Sequence, residues 1–304
     1  MTNLKTKVNI AGVELKNPVM TASGTFGSGK EYSEFVDLNE LGAVVVKGVA
    51  NVPWKGNASP RVAETYGGML NSVGLQNPGV HAFVKEDILF LRKYDTKIIV
   101  NIAGRSVEDY CEVAEVLSNA DIDMIELNIS CPNVKEGCVS FGVNPHTVEA
   151  VTKEVKKYCK QPLIVKLSPN VADIAEIAKG AEAGGADAIS LINTLLGMVI
   201  DIHKRRPVLA NIMGGLSGPA IKPVAVRMVY QVAQAVKVPI IGMGGISNGD
   251  DAIEFMLAGA SAVAVGTANF FNPRATIDVK EGIENYMKKY GISNIKDIVG
   301  NITV

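Results

Sequence analysis

The chain has 304 residues, 47% of them hydrophobic, so it can bury a large core. Its 30 basic residues nearly balance its 31 acidic residues, which argues against nucleic acid or an anionic membrane as the main partner. The first residues do not resemble a signal peptide, and no apolar run reaches the roughly 18 residues that span a bilayer. We therefore expect a cytoplasmic protein that acts on a small molecule.

Short runs rich in β-branched residues alternate with helical periodicity along the whole chain. Repeated strand and helix units build parallel sheets, so eight of them predict an α/β fold, a closed (β/α)8 TIM barrel, as a single domain over residues 1–304. The alternative, an open doubly wound sheet, requires a GxGxxG turn after the first strand, and TASGTFGSG does not supply one. The predicted strands are 18–22, 43–47, 97–101, 123–128, 163–167, 188–193, 238–243 and 261–266.

Polar residues close five of the predicted strands. A barrel carries its chemistry at the carboxyl ends of its strands, so these side chains should converge there. An asparagine at such a position can also be a simple turn former. Lysine is almost never buried unless it is paired, so the two lysines should face an anion. The residues are Lys47, Asn101, Asn128, Lys166, and Asn193 with Thr194.

Glycine-rich stretches follow the last two predicted strands, at 242–247 (GMGGIS) and 265–268 (VGTA). Barrels commonly hold a phosphate group here with backbone N–H groups and the start of a short helix. A further stretch at 211–219 (NIMGGLSGP) is predicted to be a glycine loop after the sixth strand. Segment 49–79 is too long for a simple loop and should be a lid or insertion at the active-site end. The site therefore suits a phosphorylated planar cofactor with a substrate stacked on it.

The four cysteines match no zinc or iron–sulfur spacing, so we expect reduced thiols and no metal. Cys111 falls at helical spacing and is predicted to be helix core. Cys131 follows the fourth strand among loop residues, where it is either an inert structural thiol or a functional one. Cys138 and Cys159 are the other two. The histidines, His81, His146 and His203, are predicted to be solvated or structural.

The motifs NSVGLQNPG, NISCPN, KLSPN, INT, GGLSGPAIKP and GMGGI together resemble those of the class 1 dihydroorotate dehydrogenases, flavin enzymes of pyrimidine synthesis. The similarity runs along essentially the whole chain. NISCPNVKEG and GGLSGPAIKPVAVRMVYQ are more similar to the type B enzymes, which work with an electron-transfer subunit, than to the stand-alone, fumarate-reducing type A. Cys138 departs from the pattern, because a glycine or another small residue is expected there.

This resemblance implies that the chain oxidises (S)-dihydroorotate to orotate, with NAD as the final electron acceptor. It implies one FMN per chain, and a partner subunit that carries FAD and a [2Fe–2S] cluster, in a heterotetramer built on a homodimer. Cys131 would remove the proton, Lys166 would stabilise negative charge on the reduced flavin, and Lys47 would bridge FMN and substrate. The implied FMN contacts are Ser23, Lys47, Gly48, Asn101, Asn128, Lys166, Ile192, Gly218, Gly244, Gly245, Gly266 and Thr267. The implied substrate contacts are Lys47, Asn71, Ser72, Val73, Gly74, Leu75, Asn128, Asn193 and Thr194.

Three other functions remain open at this point. One is a stand-alone dihydroorotate dehydrogenase that reduces fumarate. Another is a Schiff-base lyase barrel in which Lys166 is the nucleophile. The third is a flavin-binding module without turnover of its own.

Overall fold

The computed structural model describes residues 4–129 and 141–303, so Cys131 and Cys138 lie outside the described residues. The described part of the chain alternates strands and helices, as the sequence predicts. Its strands, in chain order, are β1 (Val8–Ile10), β2 (Val13–Leu15), β3 (Val19–Thr21), β4 (Ala43–Val49), β5 (Val62–Thr65), β6 (Gly68–Asn71), β7 (Lys97–Ile102), β8 (Met124–Asn128), β9 (Leu163–Lys166), β10 (Ala188–Leu191), β11 (Leu195–Met198), β12 (Ile200–Asp201), β13 (Arg206–Pro207), β14 (Met213–Ser217), β15 (Ile240–Met243) and β16 (Ala262–Val265).

Eight parallel strands close into a barrel in the order β3, β4, β7, β8, β9, β10, β15 and β16, and β16 pairs with β3 again. These are the eight strands that the sequence predicts, with ends that differ by at most two residues. The closed (β/α)8 barrel is therefore confirmed, and the open doubly wound sheet is wrong. That the whole chain forms one domain stays a prediction.

Helices between the barrel strands cover the outside of the barrel. Their starts follow from local hydrogen bonding, because the first N–H groups of a helix need acceptors. In the helix Val107–Ser118, Ser106 and Asp109 form a reciprocal capping box. Asn144, Asp173 and Asn248 cap three other helices with side-chain oxygens. The helices are α1 (Val80–Leu91), α2 (Val107–Ser118), α3 (Pro145–Lys156), α4 (Ile174–Ala183), α5 (Lys222–Ala233), α6 (Gly249–Leu257), α7 (Ala268–Phe271) and α8 (Ala275–Tyr290).

Segment 49–79 contributes β5 and β6 to a four-stranded antiparallel sheet of order β11, β14, β6, β5. The sheet lies at the carboxyl end of the barrel, as the prediction of an insertion there requires. The predicted glycine loop at 211–219 is wrong in part, because Met213–Ser217 forms β14, which pairs with both β6 and β11. Glycine suits these strand positions because the absence of a side chain leaves room for Asn71 beside Gly214 and for Thr194 beside Gly215.

The barrel strands are almost wholly buried and mostly apolar, as strands covered on both faces are. A few polar side chains are also buried in them, including Asn101, Glu126, Lys166 and Ser190. Burying such groups costs free energy unless they are hydrogen-bonded. Their presence inside the barrel therefore indicates a role in the chemistry of the site. Between residues 4–129 and 141–303 we find no helix whose length and apolar character would let it span a bilayer.

Candidate active site

A cavity opens at the carboxyl ends of the barrel strands. All six strand-end residues predicted from the sequence line it, so the barrel does bring them together: Lys47, Asn101, Asn128, Lys166, Asn193 and Thr194. Among the described lining residues, the charged side chains are both lysines. The cavity wall therefore carries positive charge and suits an anionic ligand.

Lys166 ends β9 and is only 5% exposed. Its ammonium Nζ donates to Ser23 Oγ at 3.2 Å, and Ser23 lies just after β3, across the barrel mouth. No ion pair among the described residues involves Lys166. Within the described part of the chain this buried ammonium is held by a hydroxyl, so it is well placed to meet a negative charge on a ligand.

One side of the cavity is made of glycine-rich backbone after β15 and β16, where Gly244, Gly245, Gly266 and Thr267 line it together with Gly218. Gly245 has φ +86°, and a Cβ there would lie 2.8 Å from the Gly218 carbonyl oxygen. Only glycine fits that conformation and that space, so the loop packs closely against Gly218 and Lys222 while Gly245 lines the cavity. The loops are tied together where Thr267 Oγ1 donates to Ser217 Oγ at 2.8 Å.

Asparagine amides form the opposite wall in a connected series. Asn101 Nδ2 donates to the Glu126 carboxylate at 2.6 Å, and Asn128 Nδ2 donates to Asn101 Oδ1 at 3.3 Å. The backbone end of β8 is fixed as well, because the buried Tyr110 hydroxyl donates to the Asn128 carbonyl oxygen at 2.8 Å. The site therefore contains fixed amide donors and acceptors, which complement a ring bearing amide-like groups.

The insertion supplies the roof of the cavity through Asn71, Val73, Gly74 and Leu75. Ser72, which the resemblance also implies as a substrate contact, does not line the cavity. Its side chain is fully buried, its N–H donates to the Arg61 carbonyl and its own carbonyl accepts from Asn57. Its two neighbours, Asn71 and Val73, do line the cavity.

All the residues that the resemblance implies as FMN contacts, including Gly48 and Ile192, line the cavity. The structure also adds lining residues that the sequence analysis missed. Three of them are apolar and lie outside the quoted motifs, so no sequence signal separated them from core residues: Val62, Met69 and Phe270.

The described cysteines and histidines lie away from the cavity. Cys111 lies in α2 and is buried, which confirms it as helix core, and burial raises the pKa of its thiol to about 11. Burial likewise raises the pKa of the Cys159 thiol to about 12. Such thiols stay protonated near neutrality and are poor bases. His81, His146 and His203 are exposed and line no part of the cavity.

Comparison with known proteins agrees with this geometry. The profile of the dihydroorotate dehydrogenase family matches residues 5–287. Proteins named dihydroorotate dehydrogenase B (NAD(+)), catalytic subunit, are similar to this chain in Alkaliphilus metalliredigens, at 75% identity, and in Alkaliphilus oremlandii, at 76%. Each match covers 99% of this chain and 100% of the relative.

A solved structure shows the same fold. The crystal structure of DHODH in complex with ferulenol from Eimeria tenella superposes with a TM-score of 0.82 at 23% identity, over 97% of this chain and 88% of that one. At that identity it supports the barrel alone. The family profile and the two bacterial relatives carry the assignment: this chain belongs to the dihydroorotate dehydrogenase family.

Proposed function

We propose that this chain is the catalytic subunit of an NAD-linked dihydroorotate dehydrogenase, and that it oxidises (S)-dihydroorotate to orotate in pyrimidine biosynthesis. The observation that carries the proposal is the cavity at the carboxyl end of the barrel, where two lysines, a series of asparagine amides and glycine-rich loops converge. Relatives with this name match the chain over its full length.

The donor set of the cavity fits FMN. The glycine-rich loops after β15 and β16 line the cavity and suit a phosphate group, which binds well to backbone N–H groups. The asparagine amides suit the edge of a flavin ring, which offers N–H and carbonyl groups, and Lys166 supplies a positive charge beside them. The residues that would hold FMN are Ser23, Lys47, Gly48, Asn101, Asn128, Lys166, Ile192, Gly218, Gly244, Gly245, Gly266 and Thr267.

When bound, FMN supplies the hydride acceptor of the reaction. The chain's own groups bind and orient the substrate beside it, and Lys47, Asn128, Asn193 and Thr194 are the residues we assign to this task. The insertion covers the cavity and excludes water, which strengthens each of these polar contacts. Lys166 holds a compensating positive charge at the site where negative charge accumulates.

We assign removal of the substrate proton to the sulfur of Cys131. The reaction takes a proton from the ring methylene beside a carbonyl and a hydride from the neighbouring carbon that bears the carboxylate, so a base is needed on the face opposite the hydride acceptor. Cys131 follows β8 in the sequence, three residues after Asn128, which lines the cavity. A thiol of ordinary pKa, about 8.5, is partly ionised near neutrality.

The electrons must leave through another protein. The sequence contains no dinucleotide fingerprint and no cysteine set for an iron–sulfur cluster. We propose a partner subunit with FAD and a [2Fe–2S] cluster, in a cytoplasmic heterotetramer with two copies of this chain. An exposed apolar patch beside the cavity supports a docking surface, since Phe270 lines the cavity at 51% exposure and Phe271 is 67% exposed.

The first test is the colour of the protein. The purified chain should be yellow and carry about one FMN, and dihydroorotate added without oxygen should bleach the visible absorbance, because electrons then have no exit. Protein without flavin would refute the proposal. Bound flavin that keeps its visible absorbance after dihydroorotate is added would indicate a flavin-binding module without turnover.

Replacing the base should slow the chemistry and preserve binding. Cys131→Ala should retain FMN and substrate but reduce the rate of flavin bleaching by about 10²- to 10⁴-fold in a stopped-flow measurement. Cys131→Ser should keep a little activity that rises with pH, because a hydroxyl is a far weaker base. Cys159→Ala, a thiol outside the cavity, is the matched control and should leave the rate unchanged. Loss of flavin from Cys131→Ala with normal bleaching of the remaining holoenzyme would contradict the role.

Removing the buried ammonium should alter the electrochemistry of the site. Lys166→Ala should lower the midpoint potential of the bound FMN, because the positive charge that favours the reduced form is gone. The exposed Lys204 provides the control, and Lys204→Ala should leave the potential as it is. An unchanged potential in Lys166→Ala would rule out this role. Covalent trapping of substrate on Lys166 by borohydride would instead favour the Schiff-base lyase.

The partner proposal is tested by the choice of electron acceptor. With dihydroorotate, the isolated chain should reduce an artificial dye but neither NAD nor fumarate efficiently, and NAD reduction should appear when the partner subunit is added. Efficient NAD reduction by the chain alone would overturn the proposal. Fumarate reduction as fast as dye reduction would point to the stand-alone enzyme.

A further inference from the structure

A buried carboxylate lies directly behind the wall of asparagines. Glu126 is on β8, two residues before Asn128 and so on the same face of the strand, and it is 2% exposed. Its Oε1 accepts from Ser190 Oγ at 2.8 Å and its Oε2 accepts from Asn101 Nδ2 at 2.6 Å. Glu126 does not line the cavity, and the proposed mechanism gives it no part.

The position of Glu126 is costly for the fold. The interior of such a barrel is normally filled with branched apolar side chains, and a carboxylate there loses its hydration. No ion pair within residues 4–129 and 141–303 involves Glu126, and there hydrogen bonds from Asn101 and Ser190 compensate for the lost hydration. Apolar residues of similar volume often replace buried charges without loss of stability, which indicates a purpose other than stability.

The hydrogen-bond chemistry of a carboxylate identifies that purpose. Both oxygens of a carboxylate accept, whereas an asparagine amide has one accepting and one donating end. Glu126 therefore requires Asn101 to turn its Nδ2 toward it, which leaves Asn101 Oδ1 on the other side. Asn101 Oδ1 accepts from Asn128 Nδ2 and also lies close to β4, where a Cβ on Gly48 would be 2.8 Å from it.

We propose that Glu126 is a positioning residue that fixes which end of the Asn101 amide faces the cavity wall, and so sets the donors and acceptors that this part of the wall offers to FMN. The inference rests on the proposed function, because it needs FMN to be the ligand of this wall. Without the Glu126 carboxylate, Asn101 Nδ2 loses the buried acceptor that holds it in place.

An exchange of donor and acceptor between the two residues tests this. Asn101→Asp places two carboxylates at the 2.6 Å contact and should weaken FMN binding to the apoprotein by about 10²- to 10³-fold at pH 8. Its affinity should recover as the pH falls, because one of the two carboxyls then takes a proton and becomes a donor. Glu126→Gln alone should change the affinity by about fivefold or less, because its amide oxygen can still accept from Asn101 while its amide nitrogen donates to Ser190.

The decisive variant combines the two changes. In N101D/E126Q the glutamine amide donates to the aspartate, whose second oxygen still accepts from Asn128, so the affinity should return to within about tenfold of the unmodified chain. The readout is titration of each apoprotein with FMN, followed by flavin fluorescence. A double variant that binds as weakly as Asn101→Asp, or more weakly, would overturn the proposal, because the two changes would then act independently.

An equivalent pair on the surface provides the control. Asn272 Nδ2 donates to Asp278 Oδ2, also at 2.6 Å, but both residues are exposed. Asn272→Asp should leave FMN affinity unchanged, since water screens the two carboxylates there. If this variant lost FMN as Asn101→Asp does, the effect would not come from the buried contact.

Failure of folding is also informative. If circular dichroism shows that Asn101→Asp does not fold, N101D/E126Q should still fold and bind FMN. If the double variant does neither although Glu126→Gln folds, the positioning role is refuted. Failure of the proposed function gives a different result, because the unmodified chain would then bind no FMN. An unmodified chain that binds FMN, together with no recovery in the double variant, rejects only the role of Glu126.

Discussion

Closure of the parallel barrel is the constraint on which the site depends. Because all eight strands run in one direction and the last pairs with the first, their carboxyl ends meet in a single ring. Residues as distant in sequence as Lys47 and Asn193 thereby line one cavity. The helices contribute indirectly, since they cover the outside of the barrel while the chemistry stays on the strand ends and loops.

The same closure buries polar groups in the barrel interior, where directed hydrogen bonds compensate for their lost hydration. Lys166 donates to Ser23. Asn101 donates to Glu126 and in turn accepts from Asn128. Each contact costs desolvation and yields a fixed orientation in return. Preorganised dipoles and charges of this kind suit a reaction in which negative charge builds up on a bound ring.

The sequence predicted the strands well because their signal is local. Buried parallel strands appear as short apolar runs, and a polar residue at the end of such a run stands out. Predictions were poorer where tertiary pairing decided the structure. Met213–Ser217 forms a strand because it pairs with β6 and β11. Ser72 is buried outside the cavity, where its backbone is hydrogen-bonded to Arg61 and Asn57. Phe270 carries no motif, so only the folded chain places it at the cavity.

The sequence by itself determined the barrel, the set of polar strand ends and the family, since each is written in short runs of residues or in motifs of unbroken sequence. The tertiary structure alone decided how those residues act on one another. Glu126 appears in the sequence as one acidic residue within an apolar run. Nothing local indicates that it contacts Asn101 on the neighbouring strand β7 and Ser190 on the more distant strand β10. Such a contact depends on strand register and barrel closure, which arise only when the whole chain folds.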